Sequence, residues 1–210
     1  MITGLTLKNS IISGANNLSN RRAKVDELNV FPVPDGDTGT NMGMTVGASV
    51  AELNALDDGC TVGEAAKTAA SAMLRGARGN SGVILSLLFR GIAKSLKGRE
   101  TASAAEFAAA VSAGVDAAYK AVMKPAEGTI LTVSRLGAQA AVAFAKDSTD
   151  FEGMLDALLA AAREALADTH NINPVLRRAG VVDAGGEGFV LVMDAMLGYL
   201  QGRTAAPVTS

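Results

Sequence analysis

Two aspartates separated by a single glycine carry the strongest chemical signal in this sequence. Asp35 and Asp37 lie in the segment NVFPVPDGDTGTNM (residues 29–42), whose two prolines favour extended backbone. The next residues are predicted to begin a helix, and a helix N-terminus offers free N–H groups and a positive dipole to phosphate. Two carboxylates beside it would repel phosphate unless a cation lay between them, and Mg²⁺ shares oxygen ligands with nucleotide phosphates. The pattern predicts a Mg²⁺–nucleotide loop; the alternative is an ordinary Asp/Gly turn.

Other chemistries fit these residues less well. A calcium loop that began at Asp35 would need glutamate at its twelfth position, where Val46 stands. Ser81 in a Gly-Asn-Ser-Gly segment could be a nucleophile, but His170 is the single candidate base and no β-structure is predicted to hold the pair. The G-x-x-x-x-G-K-[ST] and G-x-G-x-x-G nucleotide loops are both missing from the sequence. A serine hydrolase is therefore disfavoured.

Composition and charge limit the classes of function further. The chain has 210 residues, 49% of them hydrophobic, yet no apolar run reaches the roughly 20 residues of a membrane-spanning helix, so no transmembrane segment is expected. A net charge of −2, 4% aromatic residues and no tryptophan argue against nucleic acid as a partner. The single cysteine, Cys60, excludes an internal disulfide, and no signal-peptide pattern is seen, so we expect a cytoplasmic protein.

Apolar residues recur at helical spacing along nearly the whole chain. This pattern predicts an all-α protein of about eight principal helices, with small residues that suit a tight ring or bundle. Thr61, Ser103 and Thr149 each precede a glutamate by three residues, which is typical of a capping box. Helices are expected over residues 42–53, 83–97 and 189–200, and another is expected to end near residue 166. We expect one domain over residues 1–201 and a flexible tail over residues 202–210.

Four short segments rich in glycine and small polar residues interrupt the helices. They are residues 29–41, 76–82, 127–129 and 183–188. One such segment is usually only a connection. Counting antiparallel helices places several of the four at one end of the bundle, where together they favour a nucleotide pocket over chance turns.

The same four segments carry a resemblance to a known family. NVFPVPDGDTGTNM, ARGNSGVILS, EGTILTV and VVDAGGEGF occur in this order and resemble the nucleotide-binding domain of bacterial fatty acid kinase (FakA type), which is related to the L subunit of dihydroxyacetone kinase (DhaL type). The match runs from about residue 5 to residue 200. The resemblance implies an antiparallel barrel of roughly eight helices with ATP or ADP bound across the loops at one end.

The resemblance also implies a set of ligands. Asp35 and Asp37 would bind two Mg²⁺ ions, with Asn29 as the nearest polar replacement for a third aspartate of the DhaL pattern, and Thr38 stands where that pattern has histidine. The implied nucleotide contacts are Thr38, Gly39, Thr40, Asn41, Gly79, Asn80, Ser81 and Gly82 for the phosphates, Thr129 and Ile130 near the base, and Asp183, Gly185 and Gly186 closing the nucleotide side.

The function that the resemblance implies is phosphorylation of a fatty acid carboxylate presented by a separate carrier protein. It also implies further domains after this one, so we expect the isolated chain to bind Mg·ATP yet to transfer phosphate poorly. Two alternatives stay open: an L-type subunit of dihydroxyacetone kinase, which would need a substrate-binding partner subunit, and a non-catalytic nucleotide-binding module. The high apolar content also suggests a lipid in the barrel interior.

Overall fold

Helices account for all of the regular structure in residues 1–208, which are the residues that this computed structural model describes. An isolated antiparallel bridge between Ile2 and Ala102 is the one β-type pairing there. The eleven helices of this region are α1 (Gly4–Asn20), α2 (Arg22–Leu28), α3 (Thr38–Gly47), α4 (Val50–Ala55), α5 (Val62–Gly76), α6 (Gly79–Ser95), α7 (Ala104–Ala121), α8 (Ile130–Ala145), α9 (Phe151–Ile172), α10 (Pro174–Ala179) and α11 (Ala184–Leu200). Eight of them have ten residues or more, which confirms the predicted all-α fold with about eight principal helices.

The long helices close into a ring. Each of α5, α6, α7, α8 and α9 packs against the next long helix along the chain; α9 packs on α11, α11 on α1, and α1 on α5. The α3 helix packs against α1, α2, α5, α6 and α11, near one end of this ring. Burial of apolar side chains from every long helix in a single cluster is the main stabilising contribution to the fold.

Small residues set how closely the ring helices approach each other. A Cβ atom added at Gly91 of α6 would lie 2.4 Å from the Cα atom of Gly114 in α7, and one at Gly114 would lie 2.4 Å from the carbonyl oxygen of Leu88. The two backbones are thus in direct contact at this crossing. The small residues that led us to expect a tight ring allow this close approach of α6 and α7.

Three predicted helix starts are wrong, and one predicted helix is broken near a buried serine. The helix expected over residues 42–53 begins at Thr38 and breaks near Ser49, whose buried hydroxyl donates to the carbonyl of Val46 and competes with the helical pattern. The segments 76–82 and 183–188 were expected to be loops, but Gly79 and Ala184 already begin α6 and α11.

The α9 helix also differs from the prediction at both of its ends. Asp150, not Thr149, holds the N-cap position, and it makes no side-chain cap. The helix continues six residues beyond Leu166 to Ile172, so His170 lies in its last turn. It stops at Asn173 because the residue before a proline is pushed out of the helical region, and Pro174 then takes the first position of α10. Ser103 and Glu106 form the predicted capping box. Thr61 caps α5 as predicted by accepting from the Glu64 N–H, but the Glu64 side chain binds the Thr61 hydroxyl and not its backbone N–H, so the capping box there is incomplete.

The predicted C-terminal tail contacts α1. The backbone N–H of Ala205 donates to the hydroxyl of Ser13 at 3.0 Å, and the side-chain amide of Asn20 donates to the carbonyl of Ala206 at 2.9 Å. Residues 209 and 210 of the predicted tail lie outside the described residues. Over residues 1–208, no helix combines the length and the apolar character needed to cross a membrane.

We predict that Gly91→Ala lowers the free energy of unfolding by about 1–3 kcal/mol, because its methyl group forces the α6 and α7 backbones apart. Gly47→Ala is the matched control, since the nearest atom to its added Cβ is the Ser19 hydroxyl at 3.9 Å, and higher helix propensity should leave it neutral or slightly stabilised. Urea unfolding of both variants measures the difference. Equal stability of the two would contradict the direct backbone contact.

Candidate functional site

One open cavity of about 730 Å³ lies where four helices begin. Its lining includes Thr38 at the start of α3, Asn80 at the start of α6, Ile130 at the start of α8 and Gly185 at the start of α11. Four helix N-termini therefore direct the positive ends of their dipoles towards one space, which suits an anion.

The starts of α3 and α6 are held together by Asn41 and Thr45. The side-chain amide of Asn41 lies against Gly79, where an added Cβ would come within 2.7 Å of its nitrogen. Gly79 also has φ +69°, a backbone conformation that favours glycine. The Thr45 hydroxyl accepts a hydrogen bond from the backbone N–H of Arg78 at 3.0 Å and donates to the carbonyl of Asn41 at 2.8 Å. This threonine links the first turns of both helices.

The starts of α6, α8 and α11 meet around Ser81. A Cβ atom at Gly185 would lie 2.7 Å from the Ser81 hydroxyl oxygen and 3.3 Å from the Cβ atom of Ile130. Glycine at position 185 is what allows the serine to lie between the two neighbouring helices. In the segment 183–188, Gly185 thus serves close packing.

The side chain of Asn29 holds the loop that carries the two aspartates. This buried side chain accepts hydrogen bonds from the backbone N–H groups of Asp37 and Thr38 at 3.0 and 3.1 Å, and it donates to the carbonyl of Val33 at 3.1 Å. An amide oxygen has two lone pairs, and both are used here. In this conformation Asn29 positions the loop and offers no free oxygen to a metal, which weighs against its predicted role as a ligand.

A second side chain, Asp26 of α2, completes the cap of α3. Its carboxylate accepts hydrogen bonds from the backbone N–H and the hydroxyl of Thr40, at 2.8 and 2.7 Å. Asp26 was not predicted as part of the site, because it lies 14 residues before Thr40 and no local sequence pattern links them. The N–H and hydroxyl groups of Thr40, a predicted phosphate ligand, are therefore already hydrogen-bonded to Asp26.

Because Asn29 and Asp26 cap α3, the carboxylates of Asp35 and Asp37 are left free. Asp37 occupies the N-cap position of α3 without a side-chain hydrogen bond to the helix. Both aspartates are exposed, both line the cavity, and neither carboxylate has a hydrogen-bonding or ionic partner among residues 1–208. These two carboxylates are therefore available to bind a cation in the cavity.

The four helix starts differ in what their N–H groups already bind. Thr129 caps α8 by accepting from the Leu131 N–H at 3.3 Å, and Asp183 caps α11 by accepting from the Gly186 N–H at 2.8 Å. By contrast, α6 begins at Gly79 with no side-chain cap. The N–H groups of its first turn are therefore the ones most open to an anion.

The corner between α7 and α8 is fixed by a polar network around Glu127. Its carboxylate accepts hydrogen bonds from Thr132 and Arg135, and it pairs with the Tyr119 hydroxyl at 3.2 Å. The backbone N–H of Gly128 donates to the Thr132 hydroxyl at 2.8 Å. This network holds the short link that delivers Thr129 to the cavity.

Lys124 supplies the one basic side chain among the described lining residues of the cavity. Lys124 was not predicted as a site residue, since a lone lysine before a proline belongs to no motif. Apolar side chains from the proline-rich loop, the α7–α8 link and the first turns of α6 and α8 form much of the remaining wall. They are Phe31, Val33, Val83, Ile84, Val122, Met123 and Leu131.

Twelve of the sixteen predicted ligands line this cavity. They are Asn29, Asp35, Asp37, Thr38, Asn41, Gly79, Asn80, Ser81, Thr129, Ile130, Asp183 and Gly185. Gly39, Thr40, Gly82 and Gly186 do not. An added Cβ at Gly39 would meet the backbone of Arg22, at Gly82 the hydroxyl of Thr45, and at Gly186 the side chain of Val133. These glycines support the cavity wall from behind.

The donor set fits a magnesium ion that shares its ligands with phosphate. No group of three or more His, Cys, Asp or Glu side chains within residues 1–208 could hold a metal by itself. Mg²⁺ commonly takes one or two carboxylates and fills its other positions with water and substrate phosphates. Asp35 and Asp37 next to the uncapped start of α6 match that requirement.

Asp183 is the one ionisable side chain near the cavity with a strongly perturbed pKa among the described residues. Burial raises the pKa of this carboxyl from 3.8 to about 6, although hydrogen bonds from the backbone N–H groups of Gly186 and Ile130 partly oppose the shift. The carboxyl is 5% exposed and has no cationic partner within residues 1–208. Above pH 6 the folded protein therefore carries a buried negative charge on Asp183, which lowers the free energy of unfolding.

We predict that this group lowers stability as the pH rises. Its pKa is higher in the folded state than in the unfolded state, so between pH 4 and pH 6 the native protein binds more protons and the free energy of unfolding falls by roughly 3 kcal/mol. Asp183→Asn keeps an oxygen acceptor for the Gly186 N–H but cannot ionise. Denaturant unfolding of both proteins between pH 4 and pH 7 should show the parent losing stability relative to the variant. Parallel pH profiles would contradict the buried charge.

Comparison with known proteins identifies relatives of this chain. A protein of Staphylococcus saprophyticus is 50% identical over 205 residues, and Protein YloV of Bacillus subtilis is 46% identical over 203 residues; each alignment covers 97% of this chain but only 37% and 36% of the relative. The chain thus spans little more than a third of the length of these curated relatives.

The fold has a counterpart among solved structures. The crystal structure of the dihydroxyacetone kinase from C. freundii in complex with AMP-PNP and Mg²⁺ matches 92% of this chain and 33% of the kinase chain, with a TM-score of 0.69 and 16% sequence identity. This likeness confirms the all-helical fold. The model of the DAK2 domain matches residues 32–198, and the chain belongs to the DAK2 domain family.

Proposed function

We propose that this chain is a Mg·ATP-binding phosphotransferase domain. The observation that carries the proposal is the pair of free carboxylates, Asp35 and Asp37, on the same cavity as four helix N-termini. Phosphate would bind at the uncapped first turn of α6, and the base would lie against Thr129 and Ile130. That the dihydroxyacetone kinase of C. freundii was solved with AMP-PNP and Mg²⁺ supports the assignment.

Each part of the cavity would have a defined task in phosphoryl transfer. The backbone N–H groups of Gly79, Asn80 and Ser81 would bind the phosphates, with Lys124 as a further cation at the rim. Asp35 and Asp37 would hold magnesium, in our proposal two ions, and bound magnesium would neutralise charge on the departing γ-phosphoryl group. Asn29 and Asp26 would keep the loop and α3 in place during the reaction.

The acceptor that we propose is the carboxylate of a fatty acid presented by a separate carrier protein. A carboxylic acid is ionised at neutral pH, so no general base is needed to activate it. The cavity agrees with this, since its described lining contains no histidine, and the Asp183 carboxyl already accepts hydrogen bonds from the backbone N–H groups of Gly186 and Ile130. The resemblance noted for the four sequence segments favours this acceptor.

A second candidate is the L-type role in dihydroxyacetone phosphorylation, which the fold likeness to the C. freundii enzyme favours. In that case a partner subunit would hold the ketose. A non-catalytic nucleotide-binding module is the third candidate. A lipid within the helical ring and a cytoplasmic location stay predictions from the sequence.

We predict that Asp35→Ala/Asp37→Ala weakens binding of the non-hydrolysable analogue AMP-PNP by at least about 30-fold when Mg²⁺ is present, because the metal bridge is lost. In EDTA the same variant should bind as well as the parent or better, since two charges that repel phosphate are gone. Isothermal titration calorimetry with and without Mg²⁺ measures both. Asp116→Ala/Asp147→Ala, at exposed positions outside the cavity, is the matched control. Unchanged Mg²⁺-dependent affinity in the cavity variant would reject the proposal.

The acceptor is tested by supplying ATP and Mg²⁺ with either a carrier-bound fatty acid or a dihydroxyacetone-binding subunit. We expect the isolated chain to bind nucleotide but to form acyl phosphate only slowly. Addition of the remaining domains of a full-length relative should raise acyl phosphate formation, measured by hydroxylamine trapping. Product only with the dihydroxyacetone-binding subunit would establish the second candidate. Nucleotide binding with no transfer in any assay, including one with a full-length relative, would favour the non-catalytic module.

A further inference from the structure

A second groove, which shares no lining residue with the nucleotide cavity, runs along α5 and α6. Its volume is about 530 Å³. Four basic side chains line it, and Glu64 is its one acidic lining residue. The four are Lys67 on α5 and Arg90, Lys94 and Lys97 on and just after α6. We name this feature the basic groove.

The four cations of the basic groove have no partner within the chain. All four are exposed, and none makes an ion pair or a side-chain hydrogen bond among residues 1–208. Nearby arginines behave differently: Arg75 pairs with Glu52, and Arg99 pairs with Glu106. The basic groove therefore brings together four positive charges without a partner among residues 1–208, on a chain of net charge −2.

The floor of the basic groove is formed mostly by small residues. Gly63, Ala70, Ser71 and Ala93 are among them, and Leu74, which is 49% exposed, adds a larger apolar side chain. Solvated lysines need no such floor. A floor of small residues between two helices lets a third helix approach closely, and an exposed leucine gives it an apolar contact.

The charges are spread along the groove rather than gathered at one point. Arg90, Lys94 and Lys97 follow one face of α6 at spacings of four and three residues, which covers about 10 Å of helix. The start of α5 cannot act as a local anion site, because the N–H groups of Val62 and Gly63 already donate to the carbonyls of Glu100 and Arg99 at 2.9 and 3.1 Å. A single phosphate would therefore use the site poorly, whereas a row of anions would match it.

We infer that the basic groove binds an acidic amphipathic helix of a partner protein. Carboxylates repeated at each turn of that helix would pair with the cations on both sides, and its apolar residues would lie on Leu74 and the alanine floor. Nucleic acid fits less well because no aromatic side chain lines the groove to stack on bases. This inference does not depend on nucleotide binding.

The test uses a labelled peptide of about 18 residues, with leucine at every third or fourth position and glutamate on both flanks. Fluorescence anisotropy at low salt should give a dissociation constant of the order of 10 µM. Lys94→Glu/Lys97→Glu should weaken binding at least about 10-fold, and Leu74→Ser about 3- to 5-fold. The matched control, Lys120→Glu/Lys146→Glu, reverses two exposed lysines at helix ends outside the groove and should change binding less than about 2-fold.

Specific outcomes would overturn the inference. A shuffled peptide of the same composition that binds equally well would show general charge attraction instead of helix docking. Equal loss in the two double variants would place binding outside the groove. Binding to phosphatidylglycerol vesicles or to an oligothymidine strand, without binding to the helical peptide, would assign the groove to a membrane or to nucleic acid. Circular dichroism of each variant checks that the fold is kept.

Discussion

The candidate site depends on which side chains cap the start of α3. An aspartate at the N-cap of a helix normally accepts hydrogen bonds from the helix, which would occupy the carboxylate of Asp37. Here Asn29 and Asp26 bind the N–H groups of Asp37, Thr38 and Thr40 instead. The helix is stabilised without Asp37, and the carboxylates of Asp35 and Asp37 are left facing the cavity. Two buried or half-buried side chains therefore make two exposed ones available for chemistry.

Close packing at glycines produces the convergence of helix starts that this arrangement needs. Position 79 requires a positive φ and a short distance to Asn41, and position 185 requires room for the Ser81 hydroxyl. A side chain at either position would separate two helices at their first turns. The glycine-rich segments are thus rigid contacts within the fold, and their sequence composition reflects geometry at the cavity wall rather than flexibility.

The sequence predicted the fold class and most of the cavity lining, because helical periodicity and the four glycine-rich segments are local signals. It could not assign the starts of α6 and α11. Glycine has a low helix propensity, so a glycine-rich segment is predicted to be a loop, whereas here the glycines allow close contacts with side chains of neighbouring helices. It could not find Asp26, whose partner lies 14 residues away, or Lys124, which belongs to no motif. Asn29 was selected, but its role in loop positioning follows only from the directions of its hydrogen bonds.

The electrostatics of the cavity make metal and nucleotide mutually dependent under the proposed function. Helix dipoles and Lys124 attract phosphate, while Asp35 and Asp37 repel it, so neither set alone gives a strong nucleotide site. A divalent cation reverses the sign of the carboxylate contribution, and phosphate in turn supplies the oxygen ligands that two carboxylates cannot. By linkage, each must raise the affinity for the other by the same factor. Asn29 has a part in this coupling, because it holds the acidic loop on the start of α3, which Thr45 links to the start of α6.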